Sequence, residues 1–189
     1  RARALVARRG RREPVAYITG ARAFRRLRVE VGPEVLVPRP ETEVLVEWAL
    51  EVAGPGAAVL DWGTGSGAVA LALADEGDGL RVTAVESSGP ALAVARANGR
   101  RLGLHVEWLD SDGFGALAGR RFALVAANPP YLSPAELEAA PPELRFEPAE
   151  ALVAGPTGLE AIARLAAEAP AHLEPGGAFV IEVGVPELR

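Results

Sequence analysis

The sequence has no cysteine, no methionine and no lysine, and only two histidines, His105 and His172, in 189 residues. Without cysteine there are no disulfides, no thiolate-bound metals and no cysteine nucleophile. Two histidines so far apart in sequence give no spacing for a histidine metal site or a histidine-based triad, so no metal is expected. Without lysine the G-x-x-x-x-G-K phosphate loop is ruled out, and all 20 basic side chains are arginine. No apolar run approaches the roughly 20 residues needed to cross a bilayer. No apolar stretch of the signal-peptide type follows Arg1-Ala2-Arg3-Ala4-Leu5. These absences predict a cytoplasmic chain with no membrane partner. A first residue other than methionine predicts a longer natural protein.

What is present is a core former. Hydrophobic residues make up 49% of the chain, enough for one α/β domain of ordinary size. The formal net charge of −5 argues against bulk electrostatic grip on nucleic acid. The charge is uneven, because residues 1–28 hold ten arginines against the single acid Glu13. Such a run reads either as a solvated surface or as a basic face toward RNA or an RNA-bound partner.

Periodicity divides the chain. Residues 1–20 read as a remnant of a helical domain, its helix ending in the turn Pro14–Gly20. Residues 21–37 read as a β-hairpin, with Phe24, Leu27, Val29 and Val31 at strand spacing, a turn at Gly32-Pro33 and a second strand at Val35–Val37. Residues 38–189 read as the main domain. Thr42 is the expected N-cap of a helix whose apolar stripe is Val44, Leu45, Trp48, Ala49 and Val52. Strands are then expected at Ala57–Asp61, Arg81–Glu86, Leu104–Leu109, Phe122–Ala127 and Ala178–Val183, with helices at Ser66–Ala74, Pro90–Leu102 and Leu159–Leu173. This alternation predicts βαβ units and a doubly wound, mainly parallel sheet. Residues 133–158, rich in proline and glutamate, form the longest irregular stretch, a length usually reserved for function.

Three constellations point to a ligand crevice. Gly63-Thr64-Gly65-Ser66-Gly67 joins the first strand to the first helix of the alternating pattern. Glycine there lets a ligand approach the backbone, and the helix start presents free N–H groups. A structural turn is the plainer reading. Glu86 ends the next strand, 19 residues after Gly67, where an acid can accept both ribose hydroxyls of an adenosine or simply stand in solvent. Asp112, Gly113 and Phe114 follow the third strand, where the acid can take an adenine amino group and the ring can pack on the base. An ordinary turn with a core phenylalanine fits those residues equally well.

The fourth constellation carries the chemistry. Asn128-Pro129-Pro130-Tyr131 follows directly on an apolar strand. Two prolines fix the backbone, so the asparagine amide and the proline carbonyls are held rigidly. The Asn128 oxygen and a proline carbonyl can accept both hydrogens of a planar NH₂ group, and Tyr131 offers a face for stacking. A nitrogen conjugated to a π-system is a poor nucleophile. Hydrogen bonds that orient it and favour its growing positive charge act on the transition state.

At these residues the chain resembles the HemK/PrmC family of protein-(glutamine-N5) methyltransferases. Further motifs that carry the likeness are Pro14–Gly20 (P-V-A-Y-I-T-G), Val37–Glu43 (V-P-R-P-E-T-E), Arg145–Pro148 (R-F-E-P) and the strand ending Ile181-Glu182. The resemblance implies a class I S-adenosylmethionine-dependent methyltransferase fold and transfer of methyl to the glutamine of a G-G-Q loop in class 1 peptide chain release factors, leaving S-adenosylhomocysteine. It places cofactor on Gly63–Gly67, Glu86, Asp112, Gly113, Phe114 and Asn128, and the target glutamine on Asn128–Tyr131, with Arg39 and Glu41 bracing the wall. A monomer with no nucleic-acid substrate is expected, and the resemblance implies that the family's N-terminal helical bundle and last C-terminal strands lie mostly outside this sequence. Trp62 stands where the family usually has an aliphatic residue and is expected under the loop. Gly113 stands where relatives often carry a larger side chain, which would leave adenine packing to Phe114. Two other readings compete. An adenine-N6 methyltransferase would use the same corner on a flipped base but calls for a basic groove. A non-catalytic adenosyl-binding fragment would bind cofactor alone.

Overall fold

The structure is a computed structural model that describes residues 2–184. The expected domain limit at Arg189, and Arg1 at the head of the basic run, lie outside the described residues. Two helices, α1 (Ala2–Gly10) and α2 (Val15–Thr19), lead into an antiparallel pair, β1 (Ala21–Phe24) and β2 (Leu27–Glu30). Then follow α3 (Thr42–Val52), β3 (Ala58–Trp62), α4 (Ala68–Glu76), β4 (Arg81–Glu86), α5 (Gly89–Leu102), β5 (Glu107–Asp110), β6 (Phe122–Ala127), α6 (Pro134–Ala139), α7 (Glu160–Glu168) and β7 (Leu173–Ile181).

The strands β3 to β7 form one parallel sheet in the order β5-β4-β3-β6-β7. The chain winds outward from β3 to one side, then returns to its other side through β6. The crevice at the carboxyl ends of β3 and β6 is therefore the topological switch point. Val59 and Leu60 of β3 and Leu124–Ala127 of β6 are fully buried, as strands covered on both faces must be. One core layer, with Val59, Leu124 and Ala126, lies against α3, α4 and the hairpin; the other, with Leu60, Val125, Phe122 and Leu165, lies under α7. Helix α4 is buried through Ala68–Leu73, and those six of its nine residues are apolar all round.

The hairpin turns at Arg25-Arg26, not at Gly32-Pro33, and Val35–Val37 is not a strand. Arg25 adopts a φ of 52°, a conformation that side-chain-bearing residues rarely take. Three carboxylates hold it there: its N–H donates to Glu43, and its guanidinium donates to Glu47 and, through two nitrogens, to Glu76. Those acids lie outside the hairpin itself, so local turn signals could not place the turn. Val35 and Val37 are instead buried as part of the core, and the Tyr17 hydroxyl donates to the Val35 carbonyl.

Other boundaries shift for identifiable reasons. Glu41 occupies the N-cap position of α3 and Thr42 is its first helical residue, so the Thr42 side chain does not cap. Of the expected stripe on α3, Leu45 and Ala49 are buried with Val46, whereas Val44, Trp48 and Val52 are exposed. The strand expected at Leu104–Leu109 is shorter, Glu107–Asp110. The last helix stops at Glu168 and tightens into a 3₁₀ turn through Ala169–His172, because Pro170 lacks the N–H that would continue the α-helix. The final strand starts earlier than expected, at Leu173, with an irregular register between Phe122 and Leu124. Several N-terminal arginines are engaged within the chain: Arg8 with Glu13, Arg9 and Arg12 with Glu143, and Arg25 with Glu47 and Glu76.

Candidate active site

The glycine turn is held from two strands. The N–H groups of Gly63 and Thr64 both donate to the Val85 carbonyl at 3.0 Å. Asp61, the last buried acid of β3, accepts from the Thr64 hydroxyl and from the Ala70 N–H at 3.1 Å, which ties the loop to the first turn of α4. Gly67 has a φ of 84°, and a Cβ there would lie 3.0 Å from the Trp108 ring and 3.2 Å from Ala95. Only glycine lets α5 and Trp108 approach this closely. At Gly63 and Gly65 a Cβ would meet nothing within 4 Å, so these two residues face open space.

That space is a cleft with about 200 Å³ of water-accessible volume. Its walls include Gly63–Ser66, Glu86, Asp112, Gly113, Asn128, Pro129, Pro130, Arg39 and Thr42. Sequence positions from 39 to 130 thus converge at the switch point. Glu86 reaches back to the loop: one oxygen accepts from the Gly65 N–H at 2.8 Å and the other from the Ser88 N–H at 2.9 Å. Each carboxylate oxygen has a second lone pair available to a ligand. Asp61 also lines the cleft. It is only 2% exposed, and burial pushes its carboxyl up to about 6 despite the bonds from Thr64 and Ala70, with the Glu86 charge adding to the rise.

Not every expected residue reaches the cleft. Phe114 is buried in the core layer under α7 and stacks on His172, ring centroids 4.6 Å apart, so it does not line the cavity. An apolar ring gains more from that dry layer than from an open cleft. Asp112 is on the rim, but its carboxylate is held by Arg164 of α7 at 2.6 Å. Gly113 passes directly beneath Arg164, where a Cβ would sit 2.6 Å from the guanidinium. Gly67 serves packing rather than the cavity wall, and Glu41 is exposed and lines neither cavity described here. Trp62 lines the cleft and packs on the Leu60 side of the sheet. Its Nε1–H is buried without a partner among the described residues.

The Asn128–Tyr131 corner separates this cleft from a second chamber of about 170 Å³. Asn128, Pro129, Pro130, Leu36, Arg39 and Ala151 line both, so the two share a wall. The far chamber is mostly apolar, with Tyr131, Leu132, Leu144 and Leu152, and it contains Glu182. Burial raises the Glu182 carboxyl above its usual range; the Thr42 bond lowers it, Glu41 raises it, and Asn128 and Arg39 lower it. The Tyr131 phenol is raised as well, chiefly by burial and then by Glu182.

The long segment 133–158 is ordered around the corner rather than irregular. Leu132 pairs with it through Leu132 N–H to Leu152 carbonyl, 2.9 Å, and Ala154 N–H to Leu132 carbonyl, 3.0 Å. Ser133 and Glu136 form a capping box on α6. Glu147, with a side chain only 1% exposed, accepts from Arg39 at 2.6 Å and from the Val37 N–H at 2.9 Å. It thereby ties the chain leading into α3 to segment 133–158.

Three residues not singled out from the sequence as site residues line the two cavities, Thr42, Asp61 and Glu182, and Glu147 holds the adjoining Arg39. Glu182 was legible in principle, since an acid directly after an apolar strand is the same signal that marks Glu86. Among the described residues, no group of three or more histidine, aspartate or glutamate side chains is placed to hold a metal ion, and no helix is long and apolar enough to cross a membrane.

The cleft's donor set suits an adenosyl sulfonium ligand. Asp61 and Glu86 present carboxylates to it, and Gly63 and Gly65 leave room against the backbone. Known proteins agree with that architecture. Residues 40–184 match the family described as the methyltransferase small domain. A methyltransferase from Pyrococcus furiosus superposes with a TM-score of 0.65 at 22% identity, covering 96% of this chain and 80% of that one. The T. thermophilus 16S rRNA N2 G1207 methyltransferase, in complex with AdoMet and guanosine, gives 0.60 at 24% identity over 85% of this chain and 40% of its own. These likenesses establish the fold. In sequence, the release factor glutamine methyltransferase of Geobacter sulfurreducens is 45% identical over 97% of this chain and 65% of its own length. That of Burkholderia pseudomallei is 47% identical over 96% of this chain and 67% of its own. The chain thus spans about two thirds of the length of these curated relatives. With this identity sustained over nearly its whole length, the chain belongs to the methyltransferase small domain family and, within it, to the release factor glutamine methyltransferases.

Proposed function

We propose that the protein transfers the methyl group of S-adenosylmethionine to the side-chain amide nitrogen, N5, of the glutamine in the G-G-Q motif of class 1 peptide chain release factors. The observation that carries this reading is that Asn128, Pro129 and Pro130 line the same cleft as the glycine turn and Glu86. A planar NH₂ group held by the corner would face the ligand held by the turn. When bound, the cofactor supplies a methyl group on a positively charged sulfur.

The protein's part is positioning. Gly63–Ser66 and Glu86 would hold the methionine and ribose portions, and Asp61 would face the ammonium group. The Asn128 oxygen and a proline carbonyl would accept from the two amide N–H groups, orienting the nitrogen and favouring the positive charge it gains. The apolar chamber beyond, with Tyr131, Leu132 and Leu152, would take the aliphatic part of the glutamine and exclude water. The proton lost from nitrogen leaves to solvent. Cytoplasmic location and a monomeric state belong to the same reading.

Labelled S-adenosylmethionine incubated with the protein and either a release factor or unmethylated DNA tests the assignment. Label in the release factor is expected. Label confined to nucleic acid would favour adenine methylation instead.

A further inference from the structure

The side-chain amide of Asn128 has an acceptor on one arm and two donors on the other, and its neighbours decide which arm faces the cleft. Asn128 Nδ2 donates to Thr42 Oγ1 at 3.1 Å. Thr42 is buried at the first position of α3, where its hydroxyl is not used as a cap. Glu182 stands beside both. Its N–H donates to the Ala127 carbonyl at 2.9 Å, continuing the β6–β7 pairing in which Ala127 lies opposite Ile181. That backbone bond, beside the Asn128–Thr42 pair, brings its carboxylate near the side chains of Thr42 and Asn128. One Glu182 oxygen, Oε2, is buried with no hydrogen-bond partner among the described residues.

The polarity of this cluster runs one way. An ionised carboxylate can only accept. The Thr42 hydroxyl, having accepted from Asn128, has its own proton left for Glu182. Rotating the Asn128 amide by half a turn would turn its oxygen toward Thr42 and the carboxylate, and the single Thr42 proton could then serve only one of two buried acceptors.

We infer that Thr42 and Glu182 are positioning residues that lock the Asn128 amide with its oxygen toward the cleft, so that the site admits a planar NH₂ group and refuses a carboxylate oxygen in its place. This rests on the amide-methylation reading. A glutamine side chain offers two N–H donors to the corner. A glutamate side chain offers only lone pairs, which the Asn128 oxygen repels. Sites that use fixed hydrogen bonds to recognise a donor reject analogues lacking it far more strongly than apolar pockets do. The selection of glutamine over glutamate is therefore written partly at the start of α3 and just after β7, on residues that need not touch the substrate.

The test uses the intact protein with its release factor and three substitutions. Thr42→Val keeps the shape and removes the hydroxyl; Thr42→Ser keeps the hydroxyl; Glu182→Gln adds a donor that can pair with the Asn128 oxygen and favour the flipped amide. Thr42→Val and Glu182→Gln should each lower kcat by roughly 10- to 100-fold, the scale of one hydrogen bond to a charged group. Cofactor Kd, read by calorimetry, should change less than threefold or so, and Thr42→Ser should recover most of the lost turnover. Equal turnover for Thr42→Val and the parent would overturn the inference, as would a serine variant as slow as the valine one. If Thr42→Val does not fold, Glu182→Gln decides, and unchanged kcat there overturns it. Absence of release-factor methylation by the unaltered protein would instead overturn the amide-methylation reading itself.

Discussion

Replacing Asn98 should loosen the hairpin and the cofactor loop together. Asn98 lies on α5 with no exposed surface. Its oxygen accepts from the Glu30 N–H at 2.9 Å, and its amide donates to the Glu30 carbonyl at 3.0 Å and to the Ser66 carbonyl at 3.0 Å. The side chain thus mimics a strand neighbour for the edge of β2 while holding the glycine turn from behind. Alanine there leaves three backbone groups without partners. A buried group left unsatisfied costs about 1–3 kcal/mol. The Glu30 groups, at a strand edge, can regain water, whereas Ser66 is buried. The expected loss is therefore about 2–4 kcal/mol, or roughly 5–15 °C in Tm for a chain of this length. Aspartate should be worse than alanine, because a carboxylate would face two carbonyl oxygens. Urea unfolding gives the stability change, and calorimetric titration with S-adenosylmethionine should show weakened binding in the alanine variant. An alanine variant within about 0.5 kcal/mol of the parent, the ordinary range of surface changes, would refute this account of Asn98, and so would an aspartate variant more stable than the alanine one.

The buried Asp61 sets a pH dependence. Its folded pKa, about 6, lies above the ordinary 3.8, so the folded state binds this proton more tightly than the unfolded chain does. Its contribution to stability must fall as pH rises between those values, by up to about 3 kcal/mol. Urea midpoints measured from pH 4 to pH 7 should therefore show the parent losing stability relative to Asp61→Asn as pH rises; a constant difference between the two would contradict the burial argument. Phe114→Ala should behave as a core deletion, lowering stability by about 3–5 kcal/mol while leaving cofactor affinity of the folded protein nearly unchanged; a selective loss of cofactor binding would return Phe114 to the site. Trp62 lines the cleft, so adding S-adenosylmethionine should change the protein's tryptophan emission, and Trp62→Phe should abolish that change; an undiminished response would place the reporter at Trp48 or Trp108.

The sheet and its crevice were legible because their signals are local. Buried strands such as Phe122–Ala127 read as unbroken apolar runs, and Gly63–Gly67 and Asn128–Tyr131 sit where such runs end. The parts that did not show in the sequence depend on contacts between distant residues. The hairpin turn rests on Arg25 meeting Glu43, Glu47 and Glu76. The order of segment 133–158 rests on Glu147 meeting Val37 and Arg39, more than a hundred positions away. Thr42 looked like a helix cap because the residue type favours that role; its real partner, Asn128, is 86 residues further on. Phe114 looked available to adenine until its partner His172 was placed.

Fragment-ion mass spectrometry of a release factor treated with the protein and S-adenosylmethionine addresses the central claim most directly. One added methyl on the side-chain nitrogen of the G-G-Q glutamine, lost when Asn128 is replaced by alanine, is the predicted result. A methyl group elsewhere on the release factor, or one that persists undiminished with Asn128→Ala, would contradict the account.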